Sequence, residues 1–188
     1  SPHVSFLGAG YDKLVMVQSF SKTFAMTGWR IGYIVSTNLE AMQQVVKIQY
    51  YISACSNDAM QYAVLEAMEK ANDYPSQMAV EFQKRCNLIV DRLNAMPGVQ
   101  CHRPKGAIYV FPKVDVQGMT SEEVALELLK DGVLCSPGSA FGPSGEGHLR
   151  FAYTIGQDDI SRGMDKAEAT VCLDCPAGRT TSRFGGAE

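Results

Sequence analysis

The chain has 188 residues, of which 46% are hydrophobic and 20% are charged, and its formal net charge is −3. This is the composition of a globular protein long enough for one domain or slightly more. The absence of a basic run makes nucleic acid and anionic membranes poor partners, and no apolar stretch is long enough to span a membrane. The N-terminus lacks a signal-peptide pattern, so these features predict a cytoplasmic protein.

The cysteines are scattered along the chain, and most of them lie inside apolar runs. They stand at positions Cys55, Cys86, Cys101, Cys135, Cys172 and Cys175. Without a secretory context, this pattern predicts buried, reduced thiols and not a disulfide framework. Cys172 and Cys175 form a C-x-x-C pair, but no second pair or histidine lies at a suitable spacing, so we expect no metal site.

The first regular element is an apolar run at about 13–18, which predicts a strand buried on both faces. As a strand of a parallel sheet, it would deliver Lys22 at its C-terminal end, where open parallel sheets place their ligands. Residues 30–36 predict a second buried strand. Two glycines, Gly28 and Gly32, flank Arg30, as expected where backbones approach closely or adopt unusual dihedral angles.

Two helices should follow these strands. Thr37 with Glu40 fits a capping box, which predicts a helix that turns Leu39, Met42, Val45 and Val46 inward. The aromatic-rich segment at 50–57 breaks the helical period, and its Tyr50 and Tyr51 are expected in the core. The period resumes over about 57–71.

The second half of the chain alternates between helices and short strands. Apolar residues recur at helical spacing from 75 to 96, and Pro97-Gly98 should end that helix. Two short strands at about 99–103 and 107–111 should meet across Pro104-Lys105-Gly106. The remaining predicted elements are a helix capped by Thr120 and Glu123, strands at 133–135 and 148–153, and a last helix capped by Asp158 or Asp159.

Hydroxyl groups and cations gather just after the first strand. Ser19, Ser21 and Lys22 follow the apolar run, and Arg30 comes eight residues after the lysine. Hydroxyl donors and a guanidinium fork suit a phosphate, and a lysine amine suits attack on a carbonyl group. A polar turn between two strands, with solvated Lys22 and Arg30, would leave the paired glycines unexplained.

This segment closely resembles the Schiff-base lysine motif of the class I/II aminotransferases, which are fold type I pyridoxal-phosphate enzymes. The motif reads Ser-x-Ser-Lys, then Gly-x-Arg-x-Gly after a gap, and here it is Ser19 to Lys22 and Gly28 to Gly32. The resemblance implies that pyridoxal 5′-phosphate is the cofactor, that Lys22 is the catalytic residue bonded to it, and that Ser19 and Arg30 hold its phosphate. It continues to about residue 171.

Arg150 follows a loop at 136–147 that is rich in glycine and is expected to be mobile. A guanidinium between apolar neighbours needs an anion, which could be a substrate α-carboxylate or an internal acid such as Glu146. The family resemblance implies the α-carboxylate. Packing or simple surface exposure is favoured for His148, and exposure for Lys105.

The predicted fold class is α/β: the C-terminal part of the large domain of a pyridoxal-phosphate transferase, followed by the small α+β C-terminal domain. The expected boundaries are a partial cofactor domain at 1–74, a connecting helix at 75–96, a small domain at 97–171 and an irregular tail at 172–188. The family's residues for the cofactor ring have no counterpart in this sequence. We therefore expect either a fragment or a naturally short gene product.

The resemblance implies transamination between an amino acid and a 2-oxo acid by a homodimer. One alternative is a lyase or an aminocyclopropane-carboxylate-synthase-like enzyme of the same fold. An alternative of another class is a non-catalytic interaction module that keeps the scaffold.

Overall fold

The computed structural model describes residues 4–116 and 118–171. The chain forms two compact units, which divide between Met78 and Ala79. The described residues of the first unit form β1 (Val15–Ser19), α1 (Phe20–Thr23), β2 (Gly32–Ser36), α2 (Leu39–Ser53) and α3 (Asp58–Lys70). The division falls inside α4 (Tyr74–Ala95). The second unit continues with β3 (Val99–Gln100), β4 (Tyr109–Val110), β5 (Lys113–Val114), α5 (Ser121–Lys130), β6 (Ser136–Pro137), β7 (Leu149–Ala152) and α6 (Gln157–Val171).

The strands of the first unit form an antiparallel pair, with Val15 opposite Ser36 and Ser19 opposite Gly32. The expectation of a parallel strand at this point is therefore wrong for the described pair. Gly32 lets the strands approach, because a Cβ atom there would lie far inside contact distance of the Gln18 carbonyl oxygen. The other motif glycine, Gly28, has open space where its Cβ would be.

Burial of these strands differs from the prediction. Val15, Val17, Tyr33 and Ile34 are exposed, so neither β1 nor β2 is covered on both faces by the described residues. The apolar runs correctly indicate strands, but covering both faces requires neighbouring segments, which periodicity cannot supply.

Helix α2 begins and ends later than its sequence pattern predicts. Its N-cap is Asn38, whose Oδ1 accepts a hydrogen bond from the Ala41 backbone at 3.0 Å, so the predicted Thr37 cap is wrong. The helix continues through Tyr50 and Tyr51, which are 65% and 79% exposed, and the core position expected for them is wrong. Leu39 and Val46 are exposed as well, against the prediction.

The second unit holds the larger core. Among the described residues, nineteen buried side chains form one cluster, whereas three form the cluster of the first unit. Helix α4 contributes Cys86, Ile89, Val90 and Leu93 at helical spacing, as predicted for the long helix.

Strand pairing in the second unit does not follow chain order. The predicted hairpin across Pro104 is wrong, because β3 pairs with β5 and β4 pairs with β7. The backbone of Cys101, just after β3, is hydrogen-bonded to the Asn94 side chain. Cys101 N donates to Asn94 Oδ1 at 2.8 Å, and Asn94 Nδ2 donates to Cys101 O at 3.0 Å. Strand β7 lies between β4 and β6 in a three-stranded sheet.

Helix ends in this unit agree partly with the prediction. Thr120 and Glu123 form the expected capping box at the start of α5. Asp158 and Asp159 lie in the first turn of α6 and not at its cap. The strand expected at 133–135 is displaced to β6.

The glycine-rich loop before β7 is closely packed. Gly138 and Gly145 are buried against each other, since a Cβ on either would collide with the backbone of the other. Glu146 joins the loop to α5: its Oε1 accepts from the Ser121 backbone at 2.6 Å, and its Oε2 accepts from Ser121 Oγ at 3.1 Å. The glycines thus allow close packing, which is a different role from the mobility expected for this loop.

The four described cysteines are unpaired, and Cys86 and Cys101 are buried as expected. Cys55 is exposed, contrary to the expectation, and Cys135 is half-buried. Burial raises the pKa of the Cys101 and Cys135 thiols to about 11. Cys172, Cys175 and the predicted tail lie outside the described residues. No helix within 4–116 and 118–171 has the length and apolar character to cross a membrane.

We predict that Gly32→Ala destabilises the first unit by on the order of 1–3 kcal/mol, because the added methyl group must push the two strands apart. Gly28→Ala is the matched control and should be tolerated, since its Cβ would meet no atom within 4 Å. Fluorescence of Trp29, the one tryptophan in the sequence, follows thermal unfolding of this unit. Equal melting of the two variants would contradict the close-approach explanation.

The second prediction concerns the carboxyl group of Glu146. Hydrogen bonds from the Ser121 and Gly147 backbone N–H groups hold its pKa below the usual 4.5, although desolvation acts in the opposite direction. Because the folded pKa is lowered, ionised Glu146 stabilises the fold above about pH 4.5, and this contribution is lost as pH falls through the folded pKa. A ¹³C NMR titration of the carboxyl group measures the folded value.

Two substitutions of Ser121 identify the donor responsible. Ser121→Ala keeps the backbone N–H and should keep most of the pKa shift. Ser121→Pro removes that N–H at the first helical position, which tolerates proline, and should raise the pKa toward 4.5. If both variants titrate alike, the backbone hydrogen bond is not the main cause.

Candidate active site

The turn after β1 carries the motif serine and the motif lysine. Ser19 is the last residue of β1 and also the N-cap of α1. Its Oγ accepts a hydrogen bond from Ser21 N at 3.1 Å and donates to Ser21 Oγ at 2.8 Å. Lys22 lies in the same short helix, and its side chain is exposed.

Hydrogen bonds connect this turn to the segment just before β2, which contains Arg30. Phe20 N donates to Ile31 O at 3.3 Å, and Thr27 Oγ1 donates to Ser21 O at 3.2 Å. Arg30 adopts a left-handed backbone conformation with φ of 53°, and its Nη1 donates to Thr27 O at 2.8 Å. The structure therefore brings Ser19, Lys22 and Arg30 into one connection between paired strands.

The chemistry of this donor set fits a phosphate. Arg30 has five N–H donors, and one of them donates to the Thr27 carbonyl oxygen, so several remain for an anion. No ion pair found in the described part of the chain includes Lys22 or Arg30. The two cations thus belong to one connection between paired strands, and no carboxylate among the described residues forms an ion pair with either of them.

A shallow depression of about 280 Å³ adjoins this turn. Ser19, Phe20, Thr23, Tyr33, Met68 and Asn72 contribute to its lining. Lys22 and Arg30 are not among the residues that line it.

Arg150 belongs to the second unit. Strand β7 buries Leu149 and Phe151 and leaves Arg150 on the opposite face, half-buried. Its guanidinium contacts two rings, with the Cζ atom 4.7 Å from the centroid of Tyr109 and 4.7 Å from that of Phe141. Nη2 donates to Ser136 Oγ at 3.2 Å.

The internal acid considered for Arg150 is occupied elsewhere. Glu146 binds Ser121 and the Gly147 backbone, and Arg150 takes part in no ion pair within the described ranges. His148 stacks on Phe111, with ring centroids 5.1 Å apart, which is the packing role expected for it. Lys105 is exposed, as expected.

Sequence patterns did not identify Tyr109, Phe141 or Ser136 as neighbours of Arg150. The register explains their proximity: Ser136 is directly opposite Arg150, and Tyr109 is opposite Ala152, which places it diagonally from Arg150 on one face. The one feature of the sequence that could have indicated these neighbours is the presence of aromatic residues beside glycine-containing turns.

Among the described residues, no cluster of three or more histidine, cysteine or acidic side chains could hold a metal ion.

Comparisons with known proteins agree with this geometry. A family model described as aminotransferase class I and II matches residues 3–166. The chain is 36% identical over 171 residues to an aspartate aminotransferase from Pyrococcus abyssi, and the match covers 89% of this chain and 43% of that protein. An aspartate aminotransferase from Thermotoga maritima is 40% identical over 159 residues, with 85% and 40% covered.

A solved structure gives the same result. The aromatic aminotransferase from Pyrococcus horikoshii superposes with a TM-score of 0.79 at 35% identity, covering 86% of this chain and 43% of that one. The chain thus spans less than half the length of these relatives and corresponds to their C-terminal part. Its mixed α/β architecture is that of the aspartate aminotransferase-like fold type I, as the sequence predicted.

The match to the family model extends over most of the chain, and the relatives are similar over more than four fifths of it. Class I and II aminotransferases depend on pyridoxal phosphate. The chain belongs to the class I and II aminotransferase family.

Proposed function

We propose that this chain forms the C-terminal portion of an enzyme that moves an amino group between an amino acid and a 2-oxo acid. The observation that supports it best is the turn that joins Ser19, Lys22 and Arg30 without a neutralising acid. In this proposal the partial large domain extends to about residue 74, the connecting helix to 96 and the small domain to 171.

Each site residue has a separate task. Ser19 Oγ and the free N–H groups of Arg30 bind the phosphate group of pyridoxal phosphate. Lys22 Nζ holds the cofactor and carries the proton that leaves the substrate α-carbon. The bound cofactor supplies an electron sink that stabilises negative charge at that carbon. Arg150 receives the substrate α-carboxylate in two parallel hydrogen bonds.

The same proposal includes a cytoplasmic homodimer. Exposed apolar residues on α2, among them Val46, Ile48 and Ile52, support self-association, because such surface gains free energy when covered. The four cysteines of the described residues form no disulfide, which is compatible with a reducing compartment. Size-exclusion chromatography with light scattering tests the dimer.

The cofactor assignment is tested with the 188-residue chain. We expect pyridoxal phosphate, followed by borohydride reduction, to label Lys22 in preference to Lys47, an exposed lysine of α2 that serves as the matched control. Peptide mass spectrometry measures the two sites. Equal labelling at both positions would remove the support for a cofactor site and favour the non-catalytic alternative.

Arg30→Lys tests the phosphate contact separately. Replacing the fork by a single ammonium should weaken labelling by pyridoxal phosphate by about tenfold, corresponding to about 1.4 kcal/mol. Labelling by pyridoxal, which has no phosphate, should be unchanged. Arg162→Lys, on the exposed face of α6, is the control and should affect neither. An equal loss for both reagents would contradict the phosphate role.

Arg150→Lys tests the substrate contact in the enzyme expressed from its whole coding sequence. It keeps the charge but loses the bidentate geometry, so kcat/KM should fall alike for aspartate, alanine and phenylalanine. The expected loss is on the order of 2–3 kcal/mol, or about 30- to 150-fold. A loss that differs strongly among these donors would instead assign Arg150 to recognition of the side chain.

A further inference from the structure

Two aromatic rings, those of Tyr109 and Phe141, contact the Arg150 guanidinium. Tyr109 and Phe141 lie at the same distance, 4.7 Å from Cζ to the ring centroid, well within the range of a cation–π contact. Contacts with two rings restrict the orientation of the group, while its N–H groups at the edge can still donate hydrogen bonds. Ser136 takes one N–H group, so donors remain along the edge for a second acceptor.

This arrangement differs from that of other arginines in the second unit. Arg85 lies over Phe82 at 5.4 Å but also pairs with Glu81 at 2.8 Å. Arg92 and Arg103 pair with aspartates. Arg150 has two rings and a hydroxyl group for partners, and no ion pair among the described residues involves it. Its charge is oriented but not neutralised.

The two rings are themselves held by different parts of the fold. Tyr109 lies on β4, whose pairing with β7 puts it diagonally across from Arg150. Phe141 is 52% exposed, but it makes an edge contact with Phe111 at 5.9 Å, and Phe111 stacks on His148. The loop that carries Phe141 is fixed by the Gly138–Gly145 packing and by the bonds between Glu146 and Ser121.

We propose that Tyr109 and Phe141 are positioning residues that hold the Arg150 guanidinium plane ready for a substrate carboxylate. The proposal rests on the function assigned above to Arg150 and extends it to two residues that touch the arginine and not the reacting atoms. Planar, bidentate recognition depends on the orientation of the guanidinium, and an orientation set before binding need not be established when the ligand arrives.

NMR of the 188-residue chain labelled with ¹⁵N-arginine tests the proposal. Rotation of the Arg150 guanidinium should be slower than in free arginine, and L-alanine should shift the Arg150 signals. L-Alaninamide, which lacks the carboxylate, should leave them unchanged. Arg85 provides an internal control, because its signals report on folding of the same unit.

Phe141→Leu should speed the rotation and weaken L-alanine binding by about two- to fivefold, the effect of losing one exposed cation–π contact. Tyr109→Leu should act in the same direction. Phe141→Tyr keeps a ring and should restore both readouts. Leu126→Ala, which trims an exposed leucine of α5, is the matched control and should change neither.

The outcomes separate this proposal from the function on which it rests. If L-alanine binds the original chain and both leucine variants with equal affinity and unchanged rotation, the positioning role is overturned and the carboxylate site stands. If L-alanine does not shift the Arg150 signals in the original chain, the carboxylate site itself is wrong and the positioning role is overturned with it.

Discussion

The alternation of strand β7 is the constraint on which the second unit depends. Leu149 and Phe151 face the core and are almost fully buried, whereas Arg150 lies between them in sequence and therefore on the opposite face. A shift of one residue in register would place the charged group in the core and two apolar side chains outside it. The burial that stabilises the fold thus also fixes the face on which the arginine is presented.

The two proposed anion-binding arginines are both held by uncharged groups. Arg30 donates to a backbone carbonyl group, and Arg150 is held by rings and a serine hydroxyl. Among the described residues, neither arginine is paired with an acid that would compete with an incoming anion. A carboxylate partner would hold an arginine in place equally well, as Asp91 holds Arg103, but it would compete with a ligand. Orientation without neutralisation is what an anion site requires.

Local features of the fold could be predicted from the sequence, whereas distant pairings could not. The capping box at Thr120 and the buried face of α4 depend on residues within a few turns, and both are present as expected. The spacing from Ser19 to Gly32 identified the family and the candidate cofactor site. Strand β3 pairs instead with β5, and the backbone of the next residue, Cys101, is hydrogen-bonded to the Asn94 side chain. Such competition between side-chain and strand hydrogen bonds leaves no periodic signal.

Burial was the least predictable property, and the two units show why. In the described part of the second unit, α4, α5, α6 and the sheet cover one another, so an apolar pattern corresponds to real burial. In the first unit the same kinds of pattern occur on β1 and α2, yet Val17 and Tyr51 remain exposed. Apolar periodicity records which face of an element is suited to a partner, but it does not say which segment the partner is. The exposure of such an apolar face therefore depends on the contacts available to the chain, which periodicity does not record.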